Sequence, residues 1–270
     1  MIRDNSDVSW GKWGKEDPYY AVLTHDKFRR ENLDDDVKDE FFETGRSHVE
    51  RVMALTLRHC GPGIVRGKAL DFGCGVGRLV IPLAHLFEHV TAVDVSPAML
   101  GVAEQNCLER DIKNVEFVRS DDELSRIVGK FDLIHSYIVL QHIPTQRGER
   151  IIAQLLERLN DDGILAIHFP FQRNDSIIKR FVHLLRKNLY PVSVLANIVL
   201  RKPWNTPFIQ MNIYDLNRVS VLLSNHGVKD VAMEVVDAGG FVSAFVIAKK
   251  TAGQAGKVQG EHLWAAKLEA

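Results

Sequence analysis

The 270-residue sequence predicts a doubly wound α/β fold, a mostly parallel sheet with helices on both faces. Three observations carry that reading. Strand-like and helix-like segments alternate from residue 67 to residue 169. A turn with three glycines, Gly73, Gly75 and Gly77, joins the first strand to the first helix of that run. An acid, Asp94, ends the second strand 21 positions after Gly73.

The elements follow in chain order. Residues 1–60 read as a helical N-terminal cap, with Trp10, Trp13, Tyr19, Tyr20 and Phe28 ahead of an acidic run, Asp34 to Asp36. A helix is expected from about Val37 to His59, where Phe41, Phe42, Val49, Val52, Met53 and Leu57 recur at helical spacing. Cys60-Gly61-Pro62-Gly63 stops it. Ala69 to Phe72 is a buried strand, and a helix through Leu79 to Phe87 follows the glycine turn. Val90 to Val95 is the second strand, and Pro97 opens a helix that runs to Arg110. Val115 to Arg119 and Phe131 to Tyr137 are strands three and four, Thr145 to Leu159 a helix, and Ile164 to Phe169 strand five. Pro170 breaks the rhythm, and residues 171–212 read as a helical insertion without a strand. Tyr214 to His226 is a helix ended by Gly227. Val231 to Val236 and Phe241 to Ala248 form a closing hairpin, which brings the sheet to seven strands. The core thus spans residues 61–250, and residues 251–270 read as a mobile tail.

Composition narrows the function. A formal charge of −1 offers no global field for nucleic acid or membrane. Cys60, Cys74 and Cys107 are scattered and make no CxxC pair, so no disulfide framework or zinc site is expected. No HExxH or paired-carboxylate cluster suggests another metal. The N-terminal stretch has no apolar core of a secretory signal, and a reducing cytoplasm is the expected setting.

The central signal is LDFGCGVGRL, residues 70–79. Glycines let a ligand lie against bare backbone, and the helix start presents free N–H groups. Nicotinamide enzymes use GxGxxG with pyrophosphate at that helix end. Here the third glycine arrives one residue early and Arg78 stands where Gly or Ala is wanted. Asp71 would repel a pyrophosphate but suits a ligand with an ammonium group. The remaining alternative is a glycine turn that only packs helix against strand.

The pattern D-x-G-x-G-x-G resembles motif I of the class I S-adenosylmethionine (SAM)-dependent methyltransferases. Three further stretches, VTAVDVSPAML (90–100), FVRSDD (117–122) and FDLIHSYIVLQHIP (131–144), resemble later motifs of the type-11 group in the same order. The resemblance implies a Rossmann-like methyltransferase fold with SAM as cofactor. It assigns Asp71, Phe72, Gly73, Cys74, Gly75 and Gly77 to the donor site. Asp94 would take the ribose hydroxyls, flanked by Val95 and Met99 near the adenine; the alternative for Asp94 is a helix cap, for which Ser96 is better suited. Asp121, or Asp122, would meet the adenine amino group, against a reading as a solvated acidic turn. Ser136 and Tyr137 end the fourth strand, where ligands bind in open α/β sheets. DPYYAVL (17–23) and FFETGR (41–46) resemble segments that cover the SAM site in a bacterial subset. Tyr19, Tyr20, Thr44, Gly45 and Arg46 are therefore further candidates for cofactor or acceptor contact, as are Gln141 after the fourth strand and His168 on the fifth. Core packing of the tyrosines and a surface role for Arg46 are the alternatives.

Methyl transfer is an in-line displacement that demands alignment first and a base only when the acceptor must lose a proton. His142 is the candidate base, since an unperturbed imidazole titrates near ~6.5. His168 stands second, and each has a structural reading as well. The expected partner is a small-molecule acceptor, such as a hydroxyl of a sugar, lipid or secondary metabolite; nucleic acid is not expected. Residues 171–203 hold seven basic residues (Arg173, Lys179, Arg180, Arg186, Lys187, Arg201, Lys202) and one acid, Asp175. Ile177, Ile178, Phe181, Leu184, Leu185 and Leu189 would share one apolar helical face. A lid over the site is favoured there over a subunit interface or a peripheral membrane face. A SAM-binding protein without catalysis and a nicotinamide oxidoreductase are the rival functions.

Overall fold

The computed structural model describes residues 6–176, 182, 185–186, 190–199, 204 and 206–251. Helices α1 (Ser6–Glu16), α2 (Pro18–Val22) and α3 (Asp35–Cys60) precede the sheet. The Asp34 carboxylate accepts from Val37 N–H at 2.9 Å and caps α3, with Asp35 and Asp36 favourably placed in the first turn. Then come β1 (Lys68–Phe72), α4 (Val80–Ala84), β2 (His89–Asp94), α5 (Pro97–Leu108), β3 (Val115–Arg119) and β4 (Phe131–Ser136). The chain continues through α6 (Thr145–Glu157), β5 (Leu159–Arg173), α7 (Tyr190–Val199), α8 (Leu216–Asn225), β6 (Val228–Ala238) and β7 (Phe241–Lys250).

The seven strands lie in the order β3-β2-β1-β4-β5-β7-β6. The first five are parallel, and β7 enters antiparallel between β5 and β6. β1 and β2 are apolar and buried on both faces, as strands between two helical layers must be. Successive residues divide between the layers. Ala69 joins the cluster of Phe41, Val49, Leu83 and Met99, whereas Leu70 joins that of Ile152, Leu155, Tyr214 and Leu223. The β6–β7 hairpin turns on Gly239 and Gly240, both with positive φ, as a two-residue primed turn requires.

Three expectations need correction. The helix after the glycine turn is only Val80–Ala84, because the preceding residues remain in turns. Pro170 does not end β5, which runs on to Arg173 through a register shift between Pro170 and Gln172. A proline lacks the N–H a regular ladder needs, and a bulge accommodates it; its carbonyl accepts from Tyr214 N–H at 2.8 Å. The insertion is thus strand at its start, and residues 206–215 are non-helical at its end, with α7 between. Lys179, Arg180, Lys187, Arg201 and Lys202, most of the apolar face (Ile177, Ile178, Phe181, Leu184 and Leu189) and tail residues 252–270 lie outside the described residues. Among the described residues no helix is long and apolar enough to cross a membrane.

Candidate active site

β1 is flanked by β2 on one side and β4 on the other, so the strand order reverses beside it. Open α/β sheets bind ligands at such a point, outside the carboxyl ends of the strands. A cleft with about 890 Å³ of empty space lies there. Phe72, Gly73, Cys74, Gly75, Asp94, Val95, Met99 and Ser120 line one end, and Trp10, Tyr137, Val139, His142 and Arg147 the other.

The glycine loop is tied to the neighbouring strand. Gly73 N–H and Cys74 N–H both donate to the Val93 carbonyl, at 2.7 and 3.0 Å. Gly73 has φ +78°, and a side chain there would collide with Val139. Both reasons demand glycine, and together they leave bare backbone at the cleft wall. Asp94 completes the loop: its carboxylate accepts from Gly75 N–H at 3.0 Å and from Ser96 N–H at 2.8 Å. Burial raises its pKa to about 6 against these hydrogen bonds. The α5 cap is Ser96, whose hydroxyl accepts from Met99 N–H at 3.3 Å.

Beneath the loop lies a buried polar chain. Asp71 is 1% exposed, and its Oδ1 accepts from His135 Nδ1–H at 2.8 Å. Since His135 donates there, its Nε2 carries the lone pair and accepts from His48 Nε2–H at 3.0 Å. Burial first, with the nearby Arg78 charge adding to it, pushes the His48 pKa down to about 2, so it stays neutral. Arg78 is 4% exposed and lines the cleft, and its Nη1 donates to Thr44 Oγ1 at 3.3 Å. Two polar atoms of this cluster are buried without a hydrogen-bond partner: Asp71 Oδ2 and Arg78 Nε.

The opposite end is aromatic. Past β4, Tyr137 stacks on His48 with ring centroids 3.9 Å apart, and Ile138 takes φ +56°, a strained value for a β-branched residue, at the cleft wall. His142 Nδ1–H donates to the Gln210 carbonyl at 2.8 Å, and the ring sits 5.0 Å from that of Trp10. Its Nε2 is therefore an acceptor and takes the Gln141 side-chain amide at 3.2 Å. Burial pushes the His142 pKa down to about 4, so the ring is neutral at pH 7. Arg147 clasps α1 to the core, donating to Asp7 at 2.7 and 2.9 Å and to Asp122 at 2.7 Å.

Several sequence-derived candidates stand outside the cleft lining. Asp121 caps a turn by accepting from Ser125, and Asp122 is engaged by Arg147; Ser120 occupies the wall in their place. Tyr19 donates to Asn106 at 2.8 Å within the Phe41–Phe42 cluster, and Tyr20 is packed under Arg29. Arg46 is on the outer face of α3 with Glu43 and Glu50, since the helical period turns it away from Gly45, which packs against Arg78. Thr44 acts through Arg78, and Ser136 donates to the Phe72 carbonyl at 3.0 Å. Asp71 and Gly77 shape the loop from behind; Gln141 reaches the cleft only through His142. His168 packs on Tyr137 with Nδ1 unpartnered, its pKa lowered to about 4 by burial. Trp10, Asp7, His48, Arg78, Ser120 and Arg147 were not singled out as site residues from the sequence. Arg78 had a signal, as the departure from the dinucleotide pattern; the others had none in their local spacing.

Comparison with known proteins gives the same picture. A family model described as "Methyltransferase domain" matches residues 69–163. Trans-aconitate 2-methyltransferase of Deinococcus radiodurans is 33% identical over 105 residues, 38% of each chain. Magnesium-protoporphyrin O-methyltransferase of Synechocystis sp. is 29% identical over 163 residues, 60% of this chain and 70% of that one. The chain thus spans less than half the length of the first of these relatives. A crystal structure of the Synechocystis PCC 6803 enzyme with bound SAM aligns with TM-score 0.54 and 21% identity, covering 93% of this chain and 99% of that one, and so shares the fold. In its sheet order, and in the methyltransferase domain matched over residues 69–163, the chain is similar to the class I SAM-dependent methyltransferases.

Proposed function

We propose that the protein transfers a methyl group from SAM to an oxygen of a small molecule. The observation that carries this is the bare glycine loop at the cleft wall, with the Asp94 carboxylate at its end and Arg78 in the same wall. The loop backbone and Arg78 suit the amino-acid end of the cofactor, with Asp94 placed for ribose hydroxyls and Val95, Met99 and Ser120 for the adenine. When bound, SAM supplies an electrophilic methyl on a positively charged sulfur. The protein's part is to align the acceptor between Tyr137, Trp10 and His142. His142 offers a neutral Nε2 to the acceptor's proton once the Gln141 amide yields its place, but its pKa of about 4 makes it a weaker base than the unperturbed imidazole expected from the sequence. An oxygen acceptor is favoured because the Synechocystis relative is an O-methyltransferase by name.

Calorimetry with SAM, S-adenosylhomocysteine (SAH) and NAD tests the donor. SAM and SAH should bind and NAD should not; preferential NAD binding overturns the reading. Product mass after incubation with candidate acceptors then separates an enzyme from a SAM-binding protein without turnover. The segment 171–203 is proposed as a lid, since α7 stands across a cavity from α1 and α2. A membrane face is the second reading, because Leu195, Ile198 and Val199 on α7 are more than half exposed. Cosedimentation with anionic vesicles at low salt would favour it over the lid.

A further inference from the structure

A second cavity, with about 1020 Å³ of empty space, lies between the N-terminal helices and the insertion. Its walls include Trp13, Tyr20 and Phe208, with Arg186 and Asn197 from the insertion side. A constriction too tight to admit a water molecule separates the two spaces. It shares Trp10 and His142 with the donor cleft and Trp13, Phe208 and Ile209 with the second cavity.

The charges in this cavity are unevenly matched. Asp17 is satisfied by Arg29 at 3.4 Å and by Arg30 N–H at 3.1 Å, and Glu16 pairs with Lys12 at 3.6 Å. Arg186 has no carboxylate partner among the described residues. Its Nη2 donates to Asn197 Oδ1 at 2.8 Å, and its guanidinium lies 4.9 Å from the Phe208 ring centre. Asn197 is itself fixed, donating to the carbonyls of Trp204 and Thr206 at 3.2 and 2.9 Å. Arg186 is therefore held in place while its Nε stays buried without a hydrogen-bond partner. Trp13, 6% exposed in the wall of the same cavity, has an Nε1–H in the same condition. Two buried, unpartnered donors at one cavity, one of them cationic, call for an anionic acceptor of hydrogen bonds.

We propose that this cavity holds the far end of the methyl acceptor, and that the acceptor is a flat or elongated apolar molecule carrying an anionic group. A carboxylate, phosphate or sulfate would pair with the Arg186 guanidinium, and a small shift of the wall would open Arg186 Nε–H and Trp13 Nε1–H to it. The aromatic constriction is closed in this structure, so the nucleophilic end reaches Tyr137 and His142 only when a lining side chain such as Trp10 or Phe208 moves aside. This rests on the proposed methyl transfer for its meaning, but the cavity's preference for an anion is measurable without it.

The test uses 2-naphthoate and its uncharged amide, 2-naphthamide, titrated calorimetrically into the full chain with and without SAH. The carboxylate should bind at least about tenfold tighter than the amide, as a charge-assisted hydrogen bond implies. Arg186→Gln should remove that preference, Arg186→Lys should restore most of it, and Trp13→Phe should reduce it a few-fold. SAH affinity should be unchanged in all three variants, which also reports that they fold. Equal affinity for the two probes, failure of both to bind, or a preference that survives Arg186→Gln overturns the proposal. Failure of SAH to bind the unsubstituted protein would instead overturn the methyltransferase reading and leave the probe comparison interpretable.

Discussion

At the proposed donor end of the cleft, Phe72, Gly73, Cys74, Gly75, Asp94, Val95 and Ser120 sit at or just past the carboxyl ends of adjacent, paired strands. At the proposed acceptor end, Trp10 arrives from α1, Tyr137 from the end of β4, His142 from the segment before α6, and Gln210 from the far side of the insertion. The first end is built from backbone hydrogen bonds, which strand pairing fixes. The second is built from side-chain contacts between distant segments, held by Arg147 and by the His142–Gln210 bond. Geometry of the first kind changes little when one side chain is altered; geometry of the second kind depends on every partner. A family can therefore keep its donor site while the acceptor site is rebuilt.

The sharpest way to separate the two ends is His142→Ala. If His142 takes a proton from the acceptor, turnover should fall by about 10²–10⁴-fold with SAH affinity unchanged. Turnover within a few-fold of normal would leave alignment as the whole contribution of that end.

Asp94→Ala should do the reverse and weaken SAH by roughly 1.5–3 kcal/mol, the range for hydrogen bonds to a charged group. The same residue gives a pH signature. Its folded pKa of about 6 lies above the ordinary 3.8, so folding favours the protonated form. That contribution to the stability of the ligand-free protein is present below pH 3.8 and is lost as pH rises through about 6. Ribose hydroxyls need the carboxylate as acceptor, so SAH affinity should run the other way and fall as pH drops below about 6. Calorimetry across that window should show the slope in the unsubstituted protein and a flat line in Asp94→Ala. A slope that persists in the variant would assign the titration to another group.

The smallest effect is expected from Arg147→Ala. Its partners Asp7 and Asp122 are partly exposed, so the loss in stability should be about 1 kcal/mol. Proteolysis within α1 should nevertheless quicken, with SAH binding preserved. Unchanged cleavage would mean that packing, rather than this clasp, holds α1 on the cleft.

The sheet and the donor end were largely legible in the sequence because their signals are local. Apolar runs bounded by turns mark β1 to β4, and the glycine loop must be glycine for reasons visible within a few residues. Asp94 was legible for the same reason, one strand and one helix after the loop. Asp121 and Asp122 mark the limit: the right turn was found, but which of three neighbouring polar residues lines the wall depends on Ser125 and Arg147. The continuation of β5 past Pro170 was hidden, because a proline ends a strand by local rules and only pairing with β7 sustains it.

The sequence by itself determined the alternation of strands and helices, the bare loop, and the acid beside it, since each follows from spacing along a few residues. Tertiary structure alone decided that His48 reaches Asp71 through His135, that Trp10 covers His142, and that Arg186 and Trp13 share one cavity. These contacts join residues 64 to 173 positions apart. No periodicity records such a meeting, because the packing of one layer on another sets it.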